Sequence, residues 1–409
     1  MCTSNLYKLI FLVYVLFSGE IKCGCRHSYL TFCDDLTDLN RHNVENWTEL
    51  VVGKEDGDIS QLHSVDYDTF SFDKFERLTT LIVVRQIKDI KTYTFTAEPE
   101  ETKLEYLKLY GNVIKRLRFT TFDNLMLRKL SLVNNEIEYI HKEAFYNCEI
   151  RVIDLSQNKL EMIEAGVFTE DFLGNFTKEL IFRNNKIETI EANSLPSSLE
   201  ILNLDYNNIK NLNYNVFENL RHLQEFSISY NKIQSLPGVK QFGEIRVIDA
   251  SHNRIVGINA AEFNELTQLE VLDLSHNRIS YPLTFNKFNF PERHPSLQIS
   301  LAFNKLTHLI LEDDSFRHHI VILYGNPWDC KCWAIMEKFM IDNKVKRNQC
   351  DMQYFGTGQV PYCINYACND CTQSKVKHPN FTNTDIERFS ELIKKTEGNV
   401  GCNLKPRRP

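Results

Sequence analysis

Residues 271–279, VLDLSHNRI, bring an aspartate, a serine and a histidine within four positions of one another. Asp273, Ser275 and His276 are the three side-chain types of a hydrolase triad, in which the histidine must reach both partners within about 3 Å. Same-face neighbours along an extended strand lie roughly 6.6 Å apart, so three nearly consecutive residues do not converge easily. We therefore predict that this stretch is not catalytic, and that the chain is not an enzyme and uses no cofactor or metal.

A near-copy of this stretch occurs earlier in the chain. Residues 247–255, VIDASHNRI, place Asp249 and His252 at the matching positions, whereas residues 152–160, VIDLSQNKL, have Gln157 where the histidine stands. The histidine therefore occupies a variable position of a repeated unit, which argues against a unique catalytic constellation.

The repeated unit is defined by asparagine, which recurs at spacings of 22 to 27 residues, at positions 112, 135, 158, 185, 207, 231, 253, 277, 304 and 326. The copies follow L-x-x-L-x-L-x-x-N-x-I-x-x-I/L, which is the leucine-rich-repeat pattern. The leucines point one way from a short strand, and the asparagine side chain can satisfy backbone groups where the chain turns. Several copies have a phenylalanine ten residues after the asparagine, which predicts aromatic packing under the convex side: Phe122, Phe145, Phe168, Phe217 and Phe263.

This repeat predicts an α/β leucine-rich-repeat solenoid, a horseshoe of about eleven coils with short parallel strands on its concave face. Because terminal coils would be exposed, we expect disulfide-stapled N- and C-terminal caps. The predicted organisation is a signal peptide at 1–22, an N-terminal cap and first irregular coil at 23–77, leucine-rich repeats at 78–326, a cysteine-rich C-terminal cap at 327–371, and a basic tail with one short helix at 372–409.

The N-terminal residues predict an extracellular location. Lys8 followed by the apolar run 9–17 is typical of a secretory signal peptide. No later run approaches the roughly 20 apolar residues that span a membrane, so we expect a secreted protein without a membrane anchor. The net charge of -7 gives no reason to expect a nucleic-acid partner.

The twelve cysteines cluster towards the two ends of the chain. We expect disulfides in the caps, with spacing alone permitting three connectivities for the four C-terminal cysteines; the cysteines concerned are Cys25, Cys33, Cys330, Cys332, Cys350 and Cys363. Cys148, between repeats, is expected to be a buried free thiol. Cys368, Cys371 and Cys402 are candidates for a bond to a second chain, and Asn46, Asn175 and Asn380 lie in glycosylation sequons.

Two sets of side chains are candidates for ligand binding on the concave face. Directly before the repeat asparagine stand Tyr206, Tyr230, His252, His276 and Phe303, a column that could form a hot-spot strip for a protein partner or simply be bulky residues at a tolerant position. Asp249 and Asp273 occupy the same position in adjacent coils, where two carboxylates would repel, shift their pKa values or attract a cation, unless they are solvated acids at a rim. A basic column after the asparagine is expected to be a solvated edge: Lys159, Lys186, Lys232, Arg254, Arg278 and Lys305.

The order of these motifs resembles one family. A signal peptide, about ten leucine-rich repeats, an N-P-W-x-C-x-C cap and a further paired-cysteine segment without an anchor resemble the mosquito leucine-rich-repeat immune proteins, in the short form without a coiled coil. The resemblance implies a haemolymph protein of innate immunity that binds a complement-like thioester protein, another leucine-rich-repeat chain or a microbial surface. It also implies that Cys330 pairs with Cys350 and Cys332 with Cys363. The alternative is an extracellular adhesion or developmental-signalling module.

Overall fold

The structure is a computed structural model that describes residues 31–34, 36, 47–54, 62–70, 75–97, 102–236, 238–258, 262–263, 265–280, 297–309, 320–342, 345–347, 363 and 389. Several predicted features lie outside these residues: the signal peptide, Cys25, Cys350, Cys368, Cys371, Cys402, Asn46 and Asn380.

The described residues form many short strands and few helices. The strands are β1 (Thr31–Cys33), β2 (Glu49–Val52), β3 (His63–Val65), β4 (Thr80–Val84), β5 (Ile87–Ile90), β6 (Phe95–Thr96), β7 (Tyr106–Tyr110), β8 (Arg116–Leu117), β9 (Phe122–Asp123), β10 (Met126–Ser131), β11 (Tyr139–Ile140), β12 (Phe145–Tyr146), β13 (Glu149–Asp154), β14 (Met162–Ile163), β15 (Glu179–Ile181), β16 (Thr189–Ile190), β17 (Ile201–Asn203), β18 (Glu225–Ser227), β19 (Val247–Asp249), β20 (Val271–Asp273), β21 (Gln298–Ser300), β22 (Ile320–Ile322) and β23 (Lys346–Arg347). The helices are α1 (Glu170–Leu173) and α2 (Cys330–Asp342), with 3-10 turns at Tyr67–Phe70, Gly174–Phe176, Tyr214–Phe217 and Val239–Gln241.

Fourteen of these strands make one parallel sheet in the order β1-β2-β4-β7-β10-β13-β15-β17-β18-β19-β20-β21-β22-β23. Eleven of the fourteen lie between residues 78 and 326, one in each predicted coil. In this sheet, the buried central residue of each strand is paired with the buried central residue of the next strand. Phe226 of β18, for example, pairs with Ile248 of β19. Four small sheets of the remaining two- to four-residue strands complete the coils. The predicted leucine-rich-repeat horseshoe is confirmed.

The repeat asparagines hold neighbouring coils together. The Asn253 side chain donates from Nδ2 to the carbonyls of Ile228 (2.8 Å) and Ala250 (3.2 Å), and its Oδ1 accepts from the Ile233 N–H (3.1 Å). The same three contacts are made by every repeat asparagine from Asn158 to Asn326. Because all of these groups are buried, each amide satisfies backbone polar atoms that no water reaches.

The phenylalanine column lies under the convex side as predicted. Phe122, Phe145 and Phe168 are buried, with ring centroids 5.6 Å apart along the series. The column begins earlier than the sequence pattern indicated, since Phe70 and Phe95 stack at 5.2 Å and Phe95 continues to Phe122 at 5.4 Å. Aromatic rings therefore fill the space between the short outer strands of neighbouring coils.

The C-terminal cap closes the core with tryptophan and a helix. Trp328 is buried, its Nε1 donates to the Leu323 carbonyl at 3.3 Å, and its ring lies 5.4 Å from that of Trp333. Helix α2 begins after Asp329, whose Oδ1 accepts from the N–H groups of Lys331 and Cys332 and so caps the helix. Phe389, from the predicted tail helix, is also buried in the continuous hydrophobic cluster.

The cysteine pairing implied by the family resemblance is wrong. Cys330 is bonded to Cys363 rather than to Cys350, and Cys332 is disulfide-bonded, so its partner is not Cys363. The physical reason is that residues two apart on a helix project in nearly opposite directions. Cys332 faces the core of the cap, whereas Cys330 at the first turn of α2 is partly exposed, with its Cα 4.8 Å from that of Cys363.

The other described cysteines follow the sequence-based expectations. Cys33 is disulfide-bonded, as expected of a cysteine in the N-terminal cap, while Cys25 lies outside the described residues. Cys148 is a buried free thiol, as predicted, and its burial raises its pKa to about 12. A neutral thiol in this site behaves as a small apolar side chain.

Replacing one repeat asparagine tests the bridging contacts. We expect Asn253→Ala to lower the free energy of unfolding by about 2–4 kcal/mol, because one N–H and two carbonyls lose buried partners. Asn135→Ala is the matched control, since Asn135 Oδ1 is buried without a hydrogen-bond partner and only its Nδ2 contacts are lost. Chemical unfolding of both variants should show the smaller loss for Asn135→Ala; equal losses would contradict the proposed role of the Oδ1 contact.

Candidate functional site

The residue before the repeat asparagine has a left-handed backbone in every coil. Its φ lies between 52° and 76° at Gly111, Asn134, Gln157, Asn184, Tyr206, Tyr230, His252, His276, Phe303 and Gly325, and Arg85, which precedes Gln86 in the first coil, has a φ of 51°. Glycine and asparagine adopt this conformation most readily, as at Gly111 and Asn184, whereas bulky residues rarely do. Five consecutive coils nevertheless place an aromatic or imidazole ring there.

These five rings, from Tyr206 through Tyr230, His252 and His276 to Phe303, form one stack, which we call the ring column. Successive ring centroids are 4.1, 3.9, 3.9 and 4.3 Å apart, and the interplanar angles are 9°, 9°, 10° and 23°. The column forms because the left-handed turn recurs at the spacing of parallel strands, about 4.8 Å, so each ring projects beside the next. Favourable ring contacts offset part of the cost of the backbone conformation.

Both ends of the ring column are closed. The Arg183 guanidinium carbon lies 4.4 Å from the Tyr206 ring centroid, and Tyr324 packs edge-on to Phe303 at 5.1 Å and 82°. Gly325 continues the left-handed series without a side chain, because a Cβ there would lie 2.6 Å from Phe303 Cδ1. The ring faces are thus covered, while Tyr206 is 37% exposed and Tyr230 is 41% exposed.

Asp249 and Asp273 lie in the sheet beside the ring column. They are register partners in β19 and β20, as the sequence predicted. The carboxylate of each accepts from the backbone N–H two residues on, at 3.0 Å from Ser251 and 2.9 Å from Ser275. Ser300, the next residue in the register, also hydrogen-bonds to Asp273 through its side chain.

The acids and the histidines have shifted pKa values. Burial, and then the charge of Asp273, raise the pKa of Asp249 to about 6, and Asp205 contributes in the same direction. Burial also raises the pKa of Asp273. Burial, and then the neighbouring His252, lower the pKa of His276 to about 3, and burial lowers the pKa of His252. The two imidazoles are therefore neutral near pH 7 and stack as aromatic rings.

Asp273, Ser275 and His276 do not assemble as the sequence motif alone would suggest. Asp273 accepts from the Ser275 backbone N–H and also hydrogen-bonds to the Ser275 side chain, whereas the His276 ring is stacked between His252 and Phe303. The imidazole is thus placed by stacking, and the carboxylate by a local turn contact.

The sequence analysis missed two residues that contribute to this site. Both stand two residues before the repeat asparagine, at a position that holds serine in four of the ten repeats. Arg183 covers the end of the ring column and its Nη1 lies 3.2 Å from Asp205 Oδ2. Asp205, 6% exposed, also accepts from the backbone and hydroxyl of Ser229, both at 2.8 Å. The sequence did contain a signal for this ion pair, because Arg183 and Asp205 are oppositely charged and occupy the same position of adjacent repeats.

The remaining described candidates lie away from the ring column. Lys159 of the basic column pairs with Glu136 at 3.2 Å, and Lys232 donates to Asn208 at 2.5 Å. Asn175 is exposed in a 3-10 turn, and Thr177 of its sequon is buried with its hydroxyl donating to the Ile150 carbonyl at 2.8 Å. In the described ranges, no cluster of three or more histidine, cysteine or acidic side chains could hold a metal ion. The same ranges contain no helix of the length and hydropathy needed to cross a membrane.

The sequence comparisons agree with this geometry. The BspA-type leucine-rich-repeat family model matches residues 60–174 and 100–224, and a second leucine-rich-repeat model matches residues 268–288. Leucine-rich-repeat models thus match residues 60–224 and 268–288 of the chain. No curated protein sequence matches it.

A solved leucine-rich repeat domain has the same fold as this chain. The APL1 leucine-rich repeat domain is 21% identical, with a TM-score of 0.52 over 72% of this chain and 71% of that one. Toll, in the Drosophila Toll–Spatzle complex, is 17% identical, with a TM-score of 0.47 over 70% of this chain and 45% of Toll. TLR13, in its complex with ssRNA13, is 19% identical, with a TM-score of 0.47 over 87% of this leucine-rich-repeat chain and 55% of TLR13. The chain thus spans about half the length of the Toll and TLR13 chains.

The buried acid pair predicts a pH-dependent stability. Since the folded-state pKa of Asp249 is raised from 3.8 to about 6, the folded protein loses stability as pH rises through this interval. We expect Asp249→Asn to increase the free energy of unfolding at pH 7 by about 1–3 kcal/mol, and to give no increase below pH 4, where the acid is already protonated.

Asp154→Asn is the matched control for this experiment. Asp154 occupies the same repeat position and accepts from the Ser156 N–H at 3.1 Å, but it lies 3.6 Å from Lys129 Nζ. Denaturant titrations at pH 4 and pH 7 should show stabilisation for Asp249→Asn alone; an equal gain for Asp154→Asn would contradict the burial argument.

Proposed function

We propose that this chain is a secreted recognition protein of insect innate immunity, without enzymatic activity, that binds a protein partner through the ring column. The observation that carries this proposal is the five-ring stack from Tyr206 to Phe303, held in a backbone conformation that four of the other coils give to glycine or asparagine. A fold that needed only a turn at these positions would have no use for exposed rings. Rigid, partly exposed tyrosines are typical of protein-binding hot spots.

The closed ring faces favour a protein over a saccharide or a nucleic acid. Sugars and bases bind aromatic side chains mainly through the ring face. Each face in the column contacts another ring, Arg183 or Tyr324. The exposed parts of Tyr206 and Tyr230 suit contact with a polypeptide, and the covered ring faces argue against a microbial glycan as the ligand.

An extracellular setting is supported by the cysteines and the N-terminal sequence. The Cys330–Cys363 bond is of a type that persists in oxidising compartments, and Lys8 with residues 9–17 is typical of a secretory signal. The order of motifs that resembles the mosquito immune proteins supports a complement-like thioester protein as the partner and haemolymph as the location.

Capture from haemolymph tests the proposed partner. The full chain should capture a complement-like thioester protein, and the double variant Tyr230→Asn/His276→Asn should reduce that capture about tenfold or more, because two hot-spot rings are lost. Asparagine occupies the same left-handed position at Asn134 and Asn184, so the variant should fold.

Tyr139→Ser is the control for this capture experiment, since Tyr139 is 38% exposed and lies in the short outer strand β11. Quantitative mass spectrometry should show unchanged capture with Tyr139→Ser. Equal capture by the double variant, or absence of a thioester protein from all samples, would refute the proposal.

The proposed second chain has a separate test. If Cys368, Cys371 or Cys402 bonds another leucine-rich-repeat chain, the secreted protein should migrate at about twice its mass on a non-reducing gel. Reduction should then return it to the mass of a single mature chain. A monomer band in both lanes would exclude the interchain bond.

A further inference from the structure

The sequon Asn175-Phe176-Thr177 lies wholly within the described residues, in the connection between β13 and β15 on the convex side. Asn175 stands in a 3-10 turn and is exposed, whereas the side chains of the repeat asparagines are buried between coils. An oligosaccharide on Asn175 is therefore compatible with the packing of the solenoid, because the residue that would carry it lies at the surface.

The third residue of this sequon is buried by the fold. Thr177 is 0% exposed, its hydroxyl donates to the Ile150 carbonyl at 2.8 Å, and its own carbonyl accepts from the Ser198 hydroxyl at 2.8 Å. The glycosylation motif requires a hydroxyl residue at this position, so the enzyme that transfers the sugar must reach it. In the folded protein this hydroxyl is enclosed between neighbouring coils, and the sequon is closed to the enzyme.

Exposed aromatic side chains surround the sequon. Phe176 is 49% exposed, and its ring packs over Gly174, where a Cβ would lie 3.1 Å from Phe176 Cδ2. Helix α1 separates this turn from β12, in which Tyr146 is 45% exposed and has its ring 6.1 Å from that of Phe172. A sugar attached to Asn175 begins beside the Phe176 ring, and sugars contact aromatic rings through their faces.

The coil that carries the sequon also covers the free thiol. The Cys148 backbone N–H donates to the Phe172 carbonyl of α1 at 2.9 Å, and Cys148 is buried. Because this burial depends on α1 lying against β12, the reactivity of the Cys148 thiol reports whether the coil is closed.

We propose that Asn175 carries an N-linked oligosaccharide, that the sugar is attached before this coil closes on Ile150, and that its first residue then lies on the Phe176 ring. In the transfer, Nδ2 of Asn175 forms a bond to C1 of a sugar carried on a lipid diphosphate. The bond from C1 to the diphosphate oxygen breaks, the diphosphate leaves with the bonding electrons, and the amide loses one proton. The inference rests on the extracellular setting of the proposed function and not on the ring column.

Isotope labelling tests whether Asn175 is modified. The full chain secreted by insect cells is treated with peptide-N-glycosidase in water labelled with heavy oxygen, which converts a glycosylated asparagine into a labelled aspartate. Mass spectrometry should find the label at position 175. An unlabelled Asn175 in the secreted protein would overturn the site.

The order of events is tested with a matched sequon on an open turn. Asn215→Thr creates a sequon at Asn213, which also has an aromatic middle residue, Tyr214, at the start of a 3-10 turn; all three positions are exposed. The acceptor is the unglycosylated full-length variant, either folded or unfolded by reduction and alkylation. It is incubated with microsomal oligosaccharyltransferase and its lipid-linked donor. In the folded chain, Asn213 should be modified at least about tenfold more than Asn175, because reaching Thr177 requires the coil to open locally.

In the unfolded chain both asparagines should be modified. Equal transfer to Asn213 and Asn175 in the folded chain would contradict closure of the sequon. Transfer to neither would show that something other than the burial of Thr177 blocks the reaction, and would equally overturn the proposed order.

A double-mutant cycle tests the contact between the sugar and Phe176, because Phe176→Ser preserves the sequon. Asn175→Gln should lower the midpoint of chemical unfolding when Phe176 is present and leave it unchanged in Phe176→Ser. The Cys148 thiol should stay unreactive to a maleimide in all four secreted proteins, which shows that the coil is closed in each. Equal lowering in both backgrounds would contradict the contact.

Failure of this inference and failure of the proposed function give different results. A secreted chain with unmodified Asn175 overturns the glycosylation site and leaves the ring column untouched. A chain that is retained inside the cell overturns the extracellular setting, on which both proposals depend.

Discussion

In each coil from Asn158 to Asn326, one buried asparagine side chain bridges two neighbouring coils. Its amide nitrogen donates to one carbonyl of its own coil and one of the preceding coil, and its amide oxygen accepts from a backbone N–H of the preceding coil. These backbone groups lie where the chain leaves the sheet and has no strand partner, so without the amide they would be buried and unsatisfied. The contact fixes the turn, and the fixed turn places the preceding residue in the left-handed region. Because the turn recurs at the strand spacing, whatever side chains precede the asparagine are aligned in a row.

The type of side chain in this row changes along the solenoid. Gly111, Asn134 and Asn184 are residues that tolerate a left-handed backbone, and they make the turn at little cost. The five aromatic or imidazole residues that follow have the same left-handed backbone, which bulky side chains disfavour. Stacking at 3.9 to 4.3 Å compensates locally, and the adjacent Asp249–Asp273 pair adds a second unfavourable feature at the same place. The coincidence of two such features on one surface is the physical basis for regarding it as a recognition site.

Periodic features were predictable from the sequence, and side-chain orientation was not. The asparagine spacing predicted the parallel sheet, the buried amides and the adjacency of Asp249 and Asp273, because register follows from repeat length alone. It did not predict face-to-face stacking, which depends on a backbone φ that the pattern does not encode. The Cys330–Cys363 bond was missed because pairing depends on the direction each cysteine takes from α2. Arg183 and Asp205 were missed because their position varies among the repeats and holds serine more often than any other residue.

The most direct test of the ring column is an NMR titration of its two imidazoles, assigned with His252→Asn and His276→Asn variants. Both rings lie face to face within the column, where burial disfavours the charged form. The pKa of His252 should therefore lie below 6.5, and that of His276 lower still, at about 3. Titration of both groups at 6.5 or above would show two solvated histidines, and would contradict the stacked column on which the proposed recognition surface depends.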